Sequence, residues 1–420
     1  MDKLIVEGGR RLKGKVKISG AKNGSLALIP AAILAPGIYH LENTPNLRDV
    51  WTMSQLMNSL GAFCELNGDS LFLDSREINN FEAPYELVKK MRASFYVLGP
   101  LLARFGQASV SLPGGCAWGP RPVDLHLKGL ERLGATVEIE HGFVKATAKK
   151  LKGARFNFDV SSVGATGNIL MAATLAEGNT LLTNAATEPE ITALARFLVK
   201  MGAKIEGIGT TQLEIEGVDE LKPVDEITIP DRIEAGTFLI AAAMTQGEIE
   251  IQNVNPYHLS SVLTKLEDTG CEIDVTGENI YLKMDNQPEA VDFITGVYPG
   301  LPTDLQAQWV AYMLTAKGSS RITDTIYHDR FKHVPELQRL GADIQLIENS
   351  AIIEGGKKLS GASLMSSDLR GSAALVLAGL VAEGKTDILR IYHLDRGYER
   401  IEQKFISLGA SIKRVKTELI

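Results

Sequence analysis

A unit of about 70 residues occurs six times along this 420-residue chain, and that period limits the fold more than any other property of the sequence. A helical segment ending in Leu, Met or Thr, then Gly and a small residue, recurs as SLGAF at Gly61, RLGAT at Gly134, KMGAK at Gly202, DTGCE at Gly270, RLGAD at Gly341 and SLGAS at Gly409. The spacings are 73, 68, 68, 71 and 68 residues. A second series interleaves with it, at Gly37, Gly106, Gly178, Gly247, Gly318 and Gly384, with spacings of 69, 72, 69, 71 and 66. Two independent markers agree. A unit this short cannot close a core alone, so the units must pack on one another.

Each unit can be read locally. Glycine after an apolar-periodic segment marks a helix end that turns left-handed, a conformation glycine adopts without steric cost. Alternating runs follow, such as CELNGDSLFLD, in which Asn67-Gly68 predicts a type I′ hairpin turn. TVEIEHGFVKATA and EIDVTGENIYLKM repeat that pattern, and after the second-series glycine comes a strand ending near Asn, as in IYHLENT. One unit therefore holds two helices and about four strands, an α/β (α+β) class. The sixth unit runs out before its hairpin and lead-in strand are complete, and the amino-terminal LIVEGG and KVKISG supply the missing pieces. The expected domains are 22–229 and, joined, 1–21 with 230–420, three units each. A linear solenoid is the alternative, but its terminal repeats should carry polar caps and these do not.

Charge and composition narrow the partners. With 44 basic and 51 acidic side chains the formal charge is −7, which argues against a nucleic-acid or anionic-membrane surface over the whole protein. The amino terminus lacks the apolar stretch of a signal peptide, and apolar runs such as Ser372 to Ala382 are too short for a membrane span. Three cysteines, Cys64, Cys116 and Cys271, do not describe a disulfide scaffold. These features predict a cytoplasmic protein. Gly9 to Lys15 has P-loop spacing but lacks the following Ser or Thr, and the seven histidines show no zinc-site spacing, so no metal is expected.

The six helices before the second-series glycines are apolar on nearly every side, which predicts buried helices with the sheets outside. Their first turns are polar: Lys22 and Asn23, Arg92, Ser162 to Thr166, Asp231 and Arg232, Asp304, and Asp368 with Arg370. A helix start offers unpaired N–H groups and a positive dipole end. Capping explains Asp231 and part of Ser162. It does not explain Lys22, Arg92 or Arg370, whose charge is unfavourable there unless an anion is bound. The loop Pro113 to Pro122 is rich in Gly and Pro and belongs to one unit only. Its Cys116, five residues from Arg121, is either an inert thiol or a reactive one with a lowered pKa. Cys64 and Cys271 read as core residues. The charged segment His393 to Arg400, and Asp329 to His333, are solvated faces or functional clusters.

The segments SGAKNGSLALIPAAILA, SLPGGCAWGPRPVDLHLKGLERLGA, PTDLQAQ, DRFKHVPEL, DLRGSAALVLAG and YHLDRGYERIEQKF resemble the enolpyruvate transferase family, in particular its bacterial UDP-N-acetylglucosamine 1-carboxyvinyltransferases. The likeness runs from Lys3 to about Lys413. It implies inside-out α/β domains, each of three repeated units, with buried helices and outer sheets. It also implies transfer of the enolpyruvyl group of phosphoenolpyruvate to the 3′-hydroxyl of UDP-N-acetylglucosamine, with no cofactor and no metal, in peptidoglycan synthesis. Carried over by position, Lys22, Arg121 and Arg396 would hold phosphoenolpyruvate. Cys116 would protonate its methylene carbon and be the target of fosfomycin. Asp304 would accept the sugar hydroxyl proton or orient it. Asn23, Arg92, Arg121, Pro122, Val123, Asp124, Leu125, Ser162, Val163, Gly164 and Ile326 would line the nucleotide-sugar site, and Arg330, Asp368 and Arg370 would support the reacting centre. Val160 stands where the family often has Lys, and Trp118 where it often has a smaller aliphatic residue. The shikimate 3-phosphate branch of the fold, which lacks the loop cysteine, and a catalytically silent nucleotide-sugar-binding paralogue are the alternatives.

Overall fold

The computed structural model describes residues 2–112 and 123–416. Its chain forms two compact units, Met1–Ser19 with Pro230–Ile420, and Gly20–Ile229. The boundary follows the hydrogen bonds of the two crossings: the Asp231 N–H donates to the Ser19 carbonyl, and the Ala21 N–H donates to the Ile229 carbonyl.

The all-round apolar helices form the cores. In the first unit, Arg232–Met244, Gln306–Met313 and Leu369–Val381 pack on one another and are buried along almost their whole length. In the second, Leu98–Phe105 packs on Val163–Ala173, and Lys22–Ala31 packs on Pro189–Lys200. A polar side would leave such helices with unpaired groups in a dry interior, so their middles are almost wholly apolar, and buried polar residues such as Asn168 and Gln308 are hydrogen-bonded within the core. Among the described residues the strands form six four-stranded sheets. Their strands alternate: Ile38–Glu42 buries Tyr39 and Leu41 and exposes Ile38, His40 and Glu42, so each such sheet turns one face inward.

Every sheet repeats one arrangement: the strand after a core helix lies between a short parallel strand and the second strand of a hairpin. The last sheet makes its hairpin from both ends of the chain. Asp2–Glu7 lies between Lys385–Leu389 and Ser411–Lys416, antiparallel to both, with Asp2 opposite Lys416. Lys13–Lys17 adds as the parallel strand beside Glu248–Gln252.

Two local expectations change. All six glycines of the first series are left-handed, with φ from 90° to 110°. In the second series Gly106, Gly178, Gly318 and Gly384 are left-handed, but Gly37 and Gly247 are not. Those two are required by close approach: a Cβ would meet the Pro223 ring at 2.4 Å from Gly37, and the Leu12 carbonyl oxygen at 2.4 Å from Gly247. The hairpin at Asn67 also shifts by one residue. Asn67 pairs with Ser70, so the loop is Gly68-Asp69, with Gly68 at φ 65°. Among the described residues, the two-residue loop with both members left-handed, which type I′ requires, is His141-Gly142.

Candidate functional site

The polar first turns meet in each unit separately. In the unit built on residues 230–420, Asp304 lies in the 3-10 turn Thr303–Leu305 that leads into Gln306–Met313. Arg330 Nη2 donates to Asp304 Oδ1 at 2.7 Å, and Arg370 Nη2 donates to Asp304 Oδ2 at 2.8 Å. Arg370 is 3% exposed, whereas about a quarter of the Asp304 side chain (24%) still reaches the surface. Burial by itself would raise the Asp304 carboxyl, but the charges of Arg370 and then Arg330 overturn it and hold the group well below the usual carboxylate range. Burial would discharge Arg370, but the Asp304 charge together with Tyr398, Asp231 and the hydrogen bond to Asp304 outweighs it, so the guanidinium stays protonated.

The support behind this cluster is hydrogen-bonded. Gln308 Nε2, fully buried, donates to the Asp304 carbonyl at 3.0 Å and reaches Thr237 Oγ1 and the Tyr398 hydroxyl at 3.1 and 3.0 Å. Arg370 lies over the Tyr398 ring, 5.5 Å from its centroid. Asp368 is the N-cap of Leu369–Val381: its Oδ1 accepts from the Arg370 and Gly371 N–H groups at 3.0 and 2.9 Å. Ile326, 38% exposed, follows the fully buried Asp324, whose Oδ1 accepts from the Ile326 N–H at 2.9 Å. Arg396 closes the 3-10 helix Ile391–Arg396 and is half-buried. Its neighbour Asp395 is held by Arg414.

In the unit spanning residues 20–229, Lys22 and Asn23 begin Lys22–Ala31, and Lys22 Nζ lies 3.1 Å from Asp49 Oδ2. Asp49 stands in the first turn of Arg48–Ser59, where the helix dipole favours a carboxylate. Arg92 begins the 3-10 helix Arg92–Val97. Val123 is the N-cap position of Asp124–Arg132, which carries Asp124 and Leu125. Ser162 caps Val163–Ala173 by accepting from the Ala165 N–H at 3.3 Å. These starts converge: the Tyr96 hydroxyl donates to the Val163 carbonyl at 3.3 Å, and a Cβ on Gly164 would lie 3.3 Å from the His126 ring. His126 Nδ1 and Asn168 Nδ2 are 3.0 Å apart, Asn168 Nδ2 also donates to the Phe95 carbonyl, and Asn168 Oδ1 accepts from Gly99 N–H. That bonding makes Nδ1 the acceptor and leaves the His126 proton on Nε2. Burial first, then the Arg92 charge, push His126 down to about 3, so it is neutral at pH 7. Val160 is 68% exposed.

Cys116, Trp118, Arg121 and Pro122 lie outside the described residues. Cys64 and Cys271 are buried, and burial raises both thiols, Cys64 to about 11, which makes them inert at neutral pH. The expectation that only a bound anion accounts for Lys22 and Arg370 is corrected. Both have carboxylate partners in the protein, Asp49 and Asp304, because neighbouring helix starts present opposite charges to each other. Asp49, His126, Thr303 and Asp324 were not singled out in the sequence. Asp49 and Asp324 follow an Arg and a Thr in ordinary turn contexts, and only the fold shows that they are buried and what they face.

The family described as EPSP synthase (3-phosphoshikimate 1-carboxyvinyltransferase) matches residues 6–405. A Chlorobium chlorochromatii protein named UDP-N-acetylglucosamine 1-carboxyvinyltransferase is 57% identical over 419 residues, 99% of each chain. A Trichlorobacter lovleyi protein of the same name is 56% identical over 416 residues, again 99% of each. Among solved structures, the enolpyruvyl transferase NikO from Streptomyces tendae superposes with a TM-score of 0.90 at 25% identity, covering 99% of both chains. An EPSP synthase from Acinetobacter baumannii shares the fold, with a TM-score of 0.76 at 20% identity over 99% of this chain and 100% of that one. With relatives this similar over its whole length, the chain belongs to the enolpyruvate transferase family, among the UDP-N-acetylglucosamine 1-carboxyvinyltransferases.

Proposed function

We propose that this enzyme transfers the enolpyruvyl group of phosphoenolpyruvate to the 3′-hydroxyl of UDP-N-acetylglucosamine and releases phosphate, the first committed step of peptidoglycan synthesis. The observation that carries the reading is the cluster in which Asp304 and Arg370, at two helix starts, meet Arg330 from a loop, in a chain 57% identical over 99% of its length to a transferase named for that donor group and acceptor. Both substrates are small anions. Neither a nucleic acid nor a membrane is a partner in this reading, and among the described residues no helix is long and apolar enough to cross a membrane. The cytoplasm, where such soluble metabolites are found, is the compartment that goes with it.

Lys22, Arg121 and Arg396 hold the phosphate and carboxylate of phosphoenolpyruvate, for which clustered cations supply charge-assisted hydrogen bonds. Cys116 protonates the methylene carbon as the sugar oxygen adds, and loss of a proton and phosphate completes the exchange. Asn23, Arg92, Val123, Asp124, Leu125, Ser162, Val163, Gly164 and Ile326 line the nucleotide-sugar site with Arg121 and Pro122. Asp304 orients the acceptor hydroxyl as a hydrogen-bond acceptor. A carboxylate held so far below its ordinary range is a weak proton acceptor at neutral pH, so full abstraction requires one arginine to let go. Arg330 and Arg370 position Asp304, and Asp368 positions Arg370 through its cap.

Phosphate release from phosphoenolpyruvate tests the reading, with UDP-N-acetylglucosamine and shikimate 3-phosphate as parallel acceptors. Release with the nucleotide sugar alone is the expected result. Release with shikimate 3-phosphate alone overturns the acceptor, and silence with both, from protein that still binds UDP-N-acetylglucosamine, turns the chain into a binding paralogue.

A further inference from the structure

Asp324 is fully buried, yet its two oxygens accept four hydrogen bonds from three segments. Oδ1 accepts from the Thr295 hydroxyl and from the Ile326 and Tyr327 N–H groups, each at 2.9 Å. Oδ2 accepts from the Thr303 hydroxyl at 2.6 Å. The chemistry of that last bond leaves one arrangement. A carboxylate only accepts, so the single Thr303 proton must point at Asp324. Arg330 only donates, and its Nη1 lies 2.9 Å from Thr303 Oγ1, so the hydroxyl oxygen must accept there. Arg330 then directs its other arm, Nη2, to Asp304 Oδ1 at 2.7 Å. Thr295 is fixed the same way, accepting from the Thr325 N–H at 2.9 Å while it donates to Asp324.

A buried carboxylate is costly to desolvate, and a neutral side chain could hold the 324–327 turn alone. What a carboxylate adds is the enforced direction of the Thr303 hydroxyl. We propose that Asp324 is a positioning residue for the transfer reaction: through Thr303 it aims Arg330 at Asp304, and with the same carboxylate it holds the turn that carries Ile326. This rests on the function proposed above for Asp304 and Ile326.

Asp324→Asn keeps the shape and the Oδ1 acceptor but presents an N–H₂ to Thr303, which reverses that hydroxyl and sets its proton against Arg330. Thr303→Val removes the hydroxyl and leaves the turn intact. Both are expected to lower kcat about tenfold while KM for phosphoenolpyruvate and for UDP-N-acetylglucosamine stays within about twofold, and Thr303→Ser restores kcat. A merely structural role would shift melting without this split or this rescue. A second readout needs no turnover: the carboxyl ¹³C titration of Asp304, which faces Arg330 and Arg370, moves to higher pH in Asp324→Asn and Thr303→Val and not in Thr303→Ser. Wild-type kcat together with an unmoved Asp304 titration in Thr303→Val overturns the proposal, even if Asp324→Asn fails to fold. A wild-type enzyme silent with UDP-N-acetylglucosamine instead overturns the proposed function, and the Asp304 titration still decides the relay.

Discussion

Single residues here are defined by what they face. Asp304 has each oxygen bonded to a different arginine, so loss of either Arg330 or Arg370 would leave one oxygen without its charged donor while the other arginine still balances the carboxylate, at a cost of roughly 1–3 kcal/mol in urea unfolding. Two of the three cysteines are set apart by the fold. Cys64 and Cys271 are 5% and 7% exposed with raised thiols, whereas Cys116, outside the described residues, stands in a Gly- and Pro-rich stretch of sequence five residues before Arg121. Peptide mapping after incubation with fosfomycin and UDP-N-acetylglucosamine is expected to find one adduct per chain, on Cys116. An adduct on Cys64 or Cys271, or an unchanged mass, would refute the assignment of Cys116 as the reactive thiol. The polar helix starts made Asp304 and Arg370 visible in the sequence. Asp324 was not visible, because an acidic residue after a strand looks like an ordinary turn residue, and its hydroxyl partners lie 21 and 29 residues away in the chain.

Among the helices and strands, the second-series glycines show two reasons for one residue type. Gly384 has φ 86°, and a Cβ placed on it would meet no atom within 4 Å, so its backbone conformation is what excludes other residues. Asparagine tolerates that conformation, and Gly384→Asn is expected to cost under about 1 kcal/mol in urea unfolding. Gly247 has ordinary φ but no room, so Gly247→Asn is expected to cost more, about 1–3 kcal/mol or above, as overpacking against backbone does. Equal losses at the two positions would show that packing does not distinguish them. The spacing alone put all twelve glycines in one class. The left-handed helix end is a local property and could be read, while the approach of Leu12 or Pro223 is made by distant chain and could not.

Across the chain as a whole, the two units differ in how they are assembled. The sheets of the unit spanning residues 20–229 are made from strands within it. The other unit needs two strands from the amino terminus, one of them in the interior of its sheet. A fragment of residues 20–229 is therefore expected to unfold cooperatively on its own by circular dichroism in urea. A fragment of 230–420 is expected to lack a cooperative transition until a peptide of residues 1–19 is added, since its last sheet would expose two unpaired strand edges. A cooperative 230–420 fragment without the peptide would refute this.

The six-unit period, the buried helices, the left-handed glycines of the first series and the family were all legible in the order of residues. Each is carried by spacing or by local conformation, which the chain encodes within a few residues. The partners of the charges were not legible and emerged with the folded chain: Lys22 with Asp49, Asp304 with Arg330 and Arg370, and Asp324 with Thr303. Arg330 and Arg370 lie 26 and 66 residues from Asp304 along the chain. Charge attraction acts through space at a few ångströms, so its pairings exist only once packed helices have brought those starts together.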